Sequence, residues 1–389
     1  MKRTAYFGMM SAALEEAGIY RPALVIDLER LNANLSIVRE AMRGGPAIRL
    51  VDKSLPSLPL LGHAMRILQT RRIMTFHLPV TMAVLGEFPD AHALLGKPMP
   101  IAAVAQAFAH AGPDQASALA ARVTWLIDTE ARLAQYASFA RTLGKPLHVA
   151  FEINIGMQRG GFDTPADLAK AVSAASGKPY LRCEGLMGYE AHVPAIPSLF
   201  GGPEAALRRA QARFYDFVAV LPAGQRAILN TGGSQTAFSH AGNRVANEVS
   251  IGSALVKPMD FDRPGLRALA PAIFIATPVL KVLKTRLPGP RLMSALVQAL
   301  GLFPRNGCFL YGGKFMAQPV HPPGLKRNGI WGDSSNQQLM GFSAAYPVTP
   351  DDLVFFRPTQ SEAVLQQFGP LQIMENGRIT SEWPVLPAG

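Results

Sequence analysis

Between residues 47 and 252 the sequence alternates between short apolar runs and longer amphipathic ones. The apolar runs are 47–52, 72–77, 92–95, 123–127, 147–155, 181–188, 226–231 and 246–252. All are of strand length. Helical patterns separate them, as in "TEARLAQYASFARTLG" and "PEAALRRAQARFYDFVAVL". Strands joined by helices pair in parallel, because a parallel neighbour needs a long crossover. Eight such units in succession predict an α/β chain built on a (β/α)8, TIM-like barrel. A doubly wound open sheet is the competing arrangement.

The flanks read differently. Residues 1–21 read as an N-terminal arm with a short helix. "PALVIDLERL", 22–31, reads as a strand and a helix start, with Asp27 near the cap and Gly44-Gly45 as the stop. The barrel domain is therefore expected over 22–260. After about residue 260 Pro and Gly become frequent, and short β-like runs such as "ATPVLKVLK", "GCFLYGG" and "DLVFFRP" appear. Residues 261–389 are expected to form a mostly β domain with a helical insertion near 290–304. Within it, "MENGRI" holds an Asn-Gly hairpin signal.

Composition narrows the function classes. With 389 residues, 49% hydrophobic and 17% charged, the chain can bury a large core, which excludes a disordered protein. The two cysteines, Cys183 and Cys308, are too few for a disulfide framework and fit no zinc spacing, so core packing is their expected role. A formal charge of +11 suits an anionic ligand, nucleic acid or a membrane surface. The arginines are scattered, with no zinc-finger or RNP-type pattern, so a solvated basic surface is expected and nucleic acid is not. The one local cluster is "KVLKTRLPGPR", 281–291, which leaves peripheral contact with a membrane or partner open for 281–304. Neither a secretory leader nor an apolar run of about 18 residues stands out. A cytoplasmic protein without an integral membrane segment is expected.

In a barrel, residues just past the carboxyl ends of the strands share one rim, where barrel active sites lie. Lys53 follows the first run, in "AIRLVDKSLPSL". The fifth run, "FEINIGMQRGGF", delivers Asn154, Gln158 and Arg159; the sixth, "GLMGYEAHV", delivers Tyr189, Glu190 and His192. The seventh ends in Thr231, Gly232, Gly233 and Ser234, and the eighth in Gly252 and Ser253. Paired glycines followed by hydroxyls let backbone N–H groups reach a phosphate. A lysine in a partly desolvated site loses its proton more readily, and its neutral amine forms a Schiff base with an aldehyde. An aldehyde and a phosphate on one cofactor is pyridoxal 5'-phosphate. Taken singly, Lys53 also suits a surface cation, Tyr189 a core tyrosine, Arg159 a surface ion pair and His192 a satisfied structural histidine.

In order and spacing, "PALVIDLERLNANL", "IRLVDKS", "EINIGMQRGGF", "GLMGYEAH", "LNTGGSQT", "NEVSIGS" and "GRITSEWPV" resemble the fold-type III pyridoxal phosphate enzymes over nearly the whole chain. The resemblance is to the branch of D-threonine aldolase and D-serine dehydratase, related to alanine racemase. It implies that Lys53 tethers the cofactor and moves the Cα proton, and that Tyr189 bonds the pyridine nitrogen. It places Arg159 beside the cofactor and Gly232, Gly233, Ser234, Gly252 and Ser253 at the phosphate; His192 is a candidate base from its place on the rim alone. The resemblance also implies a homodimer and a small amino-acid substrate. The implied reaction is a lyase step on a D- or β-hydroxy amino acid, aldolase-like Cα–Cβ cleavage ahead of dehydration. A racemase or epimerase, with Tyr311 or Tyr346 as the second base, is the alternative, and a non-catalytic cofactor binder a further one.

The chain departs from that branch where a divalent metal is expected. Gln360 stands in place of His and Glu362 in place of Cys or Asp in "RPTQSEAV". An amide and a carboxylate make a poor zinc pair, so no metal is expected there, with loose magnesium, manganese or calcium binding the alternative. Val51 replaces a histidine two residues before the lysine, and "SSNQQ", 334–338, replaces an acidic segment.

Overall fold

The apolar runs become strands. In the computed structural model, which describes residues 3–387, β1 is Ala23–Asp27, β2 Ala47–Val51, β3 Arg72–Thr75 and β4 His92–Leu95. β5 is Val123–Ile127, β6 Leu147–Ile153, β7 Leu181–Gly188, β8 Ile228–Thr231 and β9 Glu248–Ile251. Among the described residues, β2 to β9 form a closed barrel of parallel neighbours. β9 returns to β2 in the register Ala47↔Glu248 to Leu50↔Ile251. Most barrel strands are covered on both faces; Val123–Ile127 is buried throughout, which explains a continuous rather than alternating apolar run. Two of the crossover helices, Glu130–Leu143 and Pro165–Ser176, begin on capping hydroxyls. Thr129 Oγ1 accepts from Arg132 N at 3.1 Å and Thr164 Oγ1 from Asp167 N at 3.1 Å.

The closing seam is held by charge. Arg49 donates from Nε and Nη2 to the two carboxylate oxygens of Glu248, at 2.7 and 2.8 Å. Its Nη1 donates to the carbonyls of Ile73 and His92. Arg72 adds a bond to Glu248 at 2.8 Å. Arg49 and Glu248 are both buried, so each oxygen of Glu248 has a partner taken from the strands it must join.

The chain divides into two compact units, the barrel unit built mainly on Asn34–Leu255 and a β unit built mainly on Ala270–Val385 with the chain up to Ala33. In the β unit, β10 is Ile273–Lys284, β11 Asn306–Leu310, β12 Ala317–His321, β13 Lys326–Arg327 and β14 Leu339–Gly341. β15 is Leu353–Pro358, β16 Leu371–Glu375 and β17 Arg378–Trp383. The sheet runs β13-β14-β11-β10-β1-β16-β17, with β15 on β10 and β12 on β15. β16 and β17 meet at Asn376 (φ 50°) and Gly377 (φ 74°), the two left-handed positions of the hairpin turn. A helix forms over Arg291–Ala299.

Two expectations about the flanks are corrected. β1 does not belong to a barrel domain beginning at residue 22: it pairs antiparallel with β10 and parallel with β16. A buried strand followed by a helix looks the same in sequence whichever sheet it joins. The expected short helix is present among the described residues, but it does not stand apart as an arm. The helix Arg3–Glu16 packs Tyr6, Phe7, Met10 and Leu14 against Phe274, Phe355 and Met374. The Tyr6 hydroxyl donates to Asp27 at 2.7 Å, and Asp27 caps the next helix by accepting from Arg30 N at 2.9 Å. Both cysteines are free, Cys308 buried and Cys183 half-buried, and burial pushes each thiol up to about 12.

Candidate active site

Every rim candidate follows the carboxyl end of a barrel strand, so one mouth of the barrel collects them. After β2 the chain turns through a single 3-10 turn, Asp52–Ser54, which puts Lys53 at the mouth, half-buried. Its Nζ lies 4.4 Å from the centroid of the Phe76 ring, a cation–π contact. Phe76 in turn lies against Gly96, where an added Cβ would fall 2.3 Å from the ring. Asp52, beside the lysine, is buried and its Oδ2 has no hydrogen-bond partner. Burial pushes its carboxyl up to about 7, against the Thr75 hydrogen bond and the Lys53 charge.

The glycine loops come together as a cradle. Ser234 Oγ accepts from Gly252 N at 3.0 Å and Ala254 N at 3.2 Å, which joins the loops after β8 and β9. Ser253 Oγ donates to Ser54 Oγ at 3.0 Å, which ties the cradle to the lysine turn. Neither key glycine has room for a side chain. A Cβ at Gly252 would fall 2.7 Å from Ser54 Cβ, and one at Gly233 would fall 2.6 Å from Tyr189 Cε2.

Glu190 lies buried beneath this loop. Its carboxylate accepts from Thr231 Oγ1 (3.0 Å), Gly232 N (3.1 Å) and Thr236 Oγ1 (2.7 Å), and pairs with His240 Nε2 at 2.8 Å. Burial alone would raise its pKa, but the His240 bond and charge, with the Thr236 and Gly232 bonds, leave it below the ordinary carboxylate value. Glu190 thereby fixes Gly232, whose φ of 77° favours glycine, and with it the direction of the following amides.

The loop after β6 presents Arg159. Asn154 Oδ1 accepts from Gly156 N and Gln158 N, and its Nδ2 donates to Gln158 and Asp163. Arg213 donates to the carbonyls of Asn154 (3.0 Å) and Asp163 (2.9 Å), which clamps both ends of the loop. The exposed Arg159 guanidinium lies 5.1 Å from the Tyr189 ring centroid. Beneath it, burial pushes the Glu152 carboxyl up to about 7; Arg159 opposes and Asp128 adds. His192 is half-buried, with Nδ1 lacking a hydrogen-bond partner. Burial, assisted by Arg209 and opposed by Glu190, holds its pKa below the ordinary value.

Contacts thus run in one arc: Lys53 and Ser54, Ser253 and Gly252, Ser234 and Gly233, then Tyr189 and Arg159. The donor set fits pyridoxal phosphate. An amine faces an aldehyde's requirement, clustered amides and hydroxyls a phosphate's, and a phenol a ring nitrogen's. Gln360 and Glu362 lie beyond β15 in the other unit, Gln360 exposed and Glu362 half-buried. Among the described residues no three His, Cys, Asp or Glu are grouped to hold a metal. The amide-carboxylate pair does not fit zinc. "SSNQQ" folds on the buried Gln338 side chain, whose Oε1 accepts from Ser334 N at 2.8 Å. Tyr311 and Tyr346 are exposed.

Several site residues escaped the sequence. The rim rule, applied to β3 and β4, would have added Phe76, His77 and Lys97. His77 sits where burial, Lys97 and Lys53 all lower its pKa. Asp52 carried no signal beyond its place beside Lys53. His240 and Arg213 carried none, because they act through loop geometry.

The sequence model for the N-terminal domain of alanine racemase matches residues 26–259. The chain belongs to the alanine racemase N-terminal domain family. This family comprises fold-type III pyridoxal phosphate enzymes, and the barrel followed by a β unit is its fold. No curated protein matches the sequence. Among solved structures, this alanine racemase-family chain is similar to D-threonine aldolase from Filomicrobium marinum, at 17% identity and TM-score 0.73, covering 93% of this chain and 94% of that one. It is similar to D-threo-3-hydroxyaspartate dehydratase from Delftia sp. HT23, at 16% identity and TM-score 0.74, covering 95% and 98%. It is also similar to alanine racemase from Bacillus anthracis, at 13% identity and TM-score 0.70, covering 94% and 98%. Likeness at these identities is likeness of fold. Among the described residues no helix is long and apolar enough to cross a membrane.

Proposed function

We propose that this chain is a pyridoxal phosphate-dependent lyase that cleaves the Cα–Cβ bond of a D- or β-hydroxy amino acid. The observation that carries this reading is the arc at the barrel mouth, which joins Lys53 to the Gly233–Ser234 and Gly252–Ser253 loops and on to Tyr189 and Arg159. Bound there, the cofactor supplies an electron sink for the pair left on Cα. Lys53 holds the aldehyde carbon, and the amides at Gly233, Gly252 and Ser253 bind phosphate oxygens. Tyr189 donates to the ring nitrogen, and a neutral donor there keeps that sink modest. Arg159, at the tip of its clamped loop, binds the phenolic oxygen or the substrate carboxylate.

Proton movement falls to two side chains. A depressed pKa keeps His192 neutral near pH 7, able to take the β-hydroxyl proton as the Cα–Cβ bond breaks. Lys53, whose nitrogen the substrate amine would displace from the aldehyde carbon, would then return a proton to Cα as its ammonium. Zinc has no part in this scheme, since Gln360 and Glu362 do not fit it. The same reading makes the protein a cytoplasmic homodimer.

Borohydride reduction of the purified protein, followed by peptide mapping, is expected to place a pyridoxyl group on Lys53. Lys53→Ala is expected to lose both the adduct and turnover. His192→Gln is expected to retain the adduct and lose about 10²–10⁴-fold in kcat. Single enantiomers incubated in deuterated water separate the alternatives. Release of an aldehyde supports cleavage, release of a keto acid indicates dehydration, and washout with inversion indicates a racemase.

A further inference from the structure

The helix Arg291–Ala299 in the β unit is turned inside out. Its polar side chains face the protein: Ser294, its one fully buried residue, accepts from Leu287 N at 2.9 Å. Gln298 Nε2 donates to the carbonyls of Thr285 (2.6 Å) and Pro304 (3.2 Å). Its apolar side chains face outward. Leu292 is 83% exposed, Leu296 57%, and Leu300, just past its end, 64%. A surface helix ordinarily does the reverse. Nearby, Trp331 is 48% exposed and contacts Phe303 and Phe309 at 6.2 and 6.0 Å between centroids. Tilted ring contacts therefore join the Trp331 loop to the segment that follows the helix.

The surrounding charge is almost all of one sign, the exception being Asp333, which pairs with Arg327 at 3.5 Å. From Ala270 to Gly332 the chain has eight Lys or Arg residues and no Asp or Glu. Lys281, Lys284, Arg286 and Arg291 are all exposed beside the leucines. Lys281 Nζ lies 4.6 Å from the Phe309 centroid, which places a cation at the edge of the aromatic group.

We propose that this face docks the protein on an anionic phospholipid surface. Exposed leucines, a tryptophan at their margin and a rim of uncompensated cations are what an interfacial anchor requires. At 1.5 Å per residue the helix is only about 14 Å long, so it lies in the headgroup plane and does not cross. The match is in charge as well as polarity. This patch packed on the same patch of a second copy would set cations against cations, which like charge disfavours.

The test uses the full chain and vesicles of phosphatidylcholine with or without phosphatidylglycerol. Co-sedimentation is expected with the phosphatidylglycerol vesicles alone and is expected to fall as salt rises. Vesicle binding should shift tryptophan emission to the blue, and Trp331→Phe should remove that shift. Leu296→Glu with Leu300→Glu alters only exposed side chains and is expected to lower binding at least about tenfold. Arg286→Glu with Arg291→Glu tests the charge separately and should also weaken binding. Absence of binding at low salt overturns the proposal, as does unchanged binding by both double variants. Sedimentation velocity decides against it as well if Leu296→Glu with Leu300→Glu converts a dimer to monomers, since the face then belongs to a second copy.

Discussion

The two units bury charge to different extents. The barrel takes charge inside and gives it several partners: Glu248 meets Arg49 and Arg72, and Glu190 meets His240, two threonine hydroxyls and an amide. The β unit is centred on edge-on and tilted rings, including Phe7, Phe274 and Phe355; it holds a buried carboxylate, Asp27, on Tyr6 and Arg30, and its Arg357–Asp262 pair is open to solvent on the Asp262 side. A binding mouth needs dipoles that stay fixed when an anion arrives, and buried multi-partner carboxylates supply that rigidity. A sheet that only has to hold together can rely on apolar burial. The β unit's polar substitutions at Gln360 and Glu362 and its outward leucines lie away from its buried Asp27 and Arg357.

The comparison breaks most directly at the seam. Glu248→Ala leaves Arg49 buried without its carboxylate and is expected to cost about 3–5 kcal/mol. Asp262→Ala, in the β unit, is expected to cost about 1 kcal/mol, because Asp262 is half exposed and the buried Arg357 keeps its bonds to the Lys257 and Pro258 carbonyls. Urea unfolding followed by tryptophan emission measures both. Equal costs would remove the contrast between the units.

Glu190→Gln probes the cradle. The amide keeps the size but turns one acceptor into a donor facing donors, at an expected cost of about 2–3 kcal/mol. Pyridoxal phosphate affinity should fall about tenfold, because the Gly232 turn loses its anchor. The sign with pH follows from the depressed pKa of Glu190. Its contribution is present above the unfolded carboxylate value and is lost as pH falls through the folded one. The loss of stability on acidification should therefore be smaller in the variant.

Asp52 is the exception among the barrel's buried carboxylates, because one oxygen has no partner. Its folded pKa is raised to about 7. Folding then favours the protonated form, so stability falls as pH rises from about 4, the unfolded value, to about 7, and is level beyond. Asp52→Asn is expected to match the parent at pH 4 and to exceed it by about 1–3 kcal/mol at pH 8. Thermal melts of the cofactor-free protein at the two pH values give the difference. A parallel pH dependence in both proteins would mean that the carboxyl finds water.

How far these features were legible in sequence depended on their range. The barrel strands follow from local apolar runs, and Lys53, Arg159, Tyr189 and the glycine loops from their position after those runs. Their arrangement around one mouth follows from parallel pairing alone. The partner of β1 was not legible, since Ala23–Asp27 carries the same buried pattern a barrel strand would. Nor were Arg49 with Glu248, or Glu190 with His240, because these pairs join residues far apart in the chain. The inverted helix was half visible: a helical insertion was expected near 290–304, but only Ser294 and Gln298 facing inward reveal which side is out.

The smallest effect sets one glycine in each unit against the other. At Gly377 a left-handed φ of 74° closes the β16–β17 turn, and an added Cβ would fall 3.2 Å from Met9 Cγ and Sδ. Gly377→Ala is expected to cost about 1–2 kcal/mol, mostly from the backbone conformation. Gly86 lies in the helix Leu78–Glu87 with nothing within 4 Å of its would-be Cβ. Alanine there removes unfolded-chain freedom without strain and is expected to add about 0.5 kcal/mol. Opposite signs in thermal melts would separate a turn that requires glycine from a helix that tolerates it. Equal signs would mean that the hairpin can re-form its turn around alanine, and that register at this edge is held by the ladder and not by Asn376-Gly377.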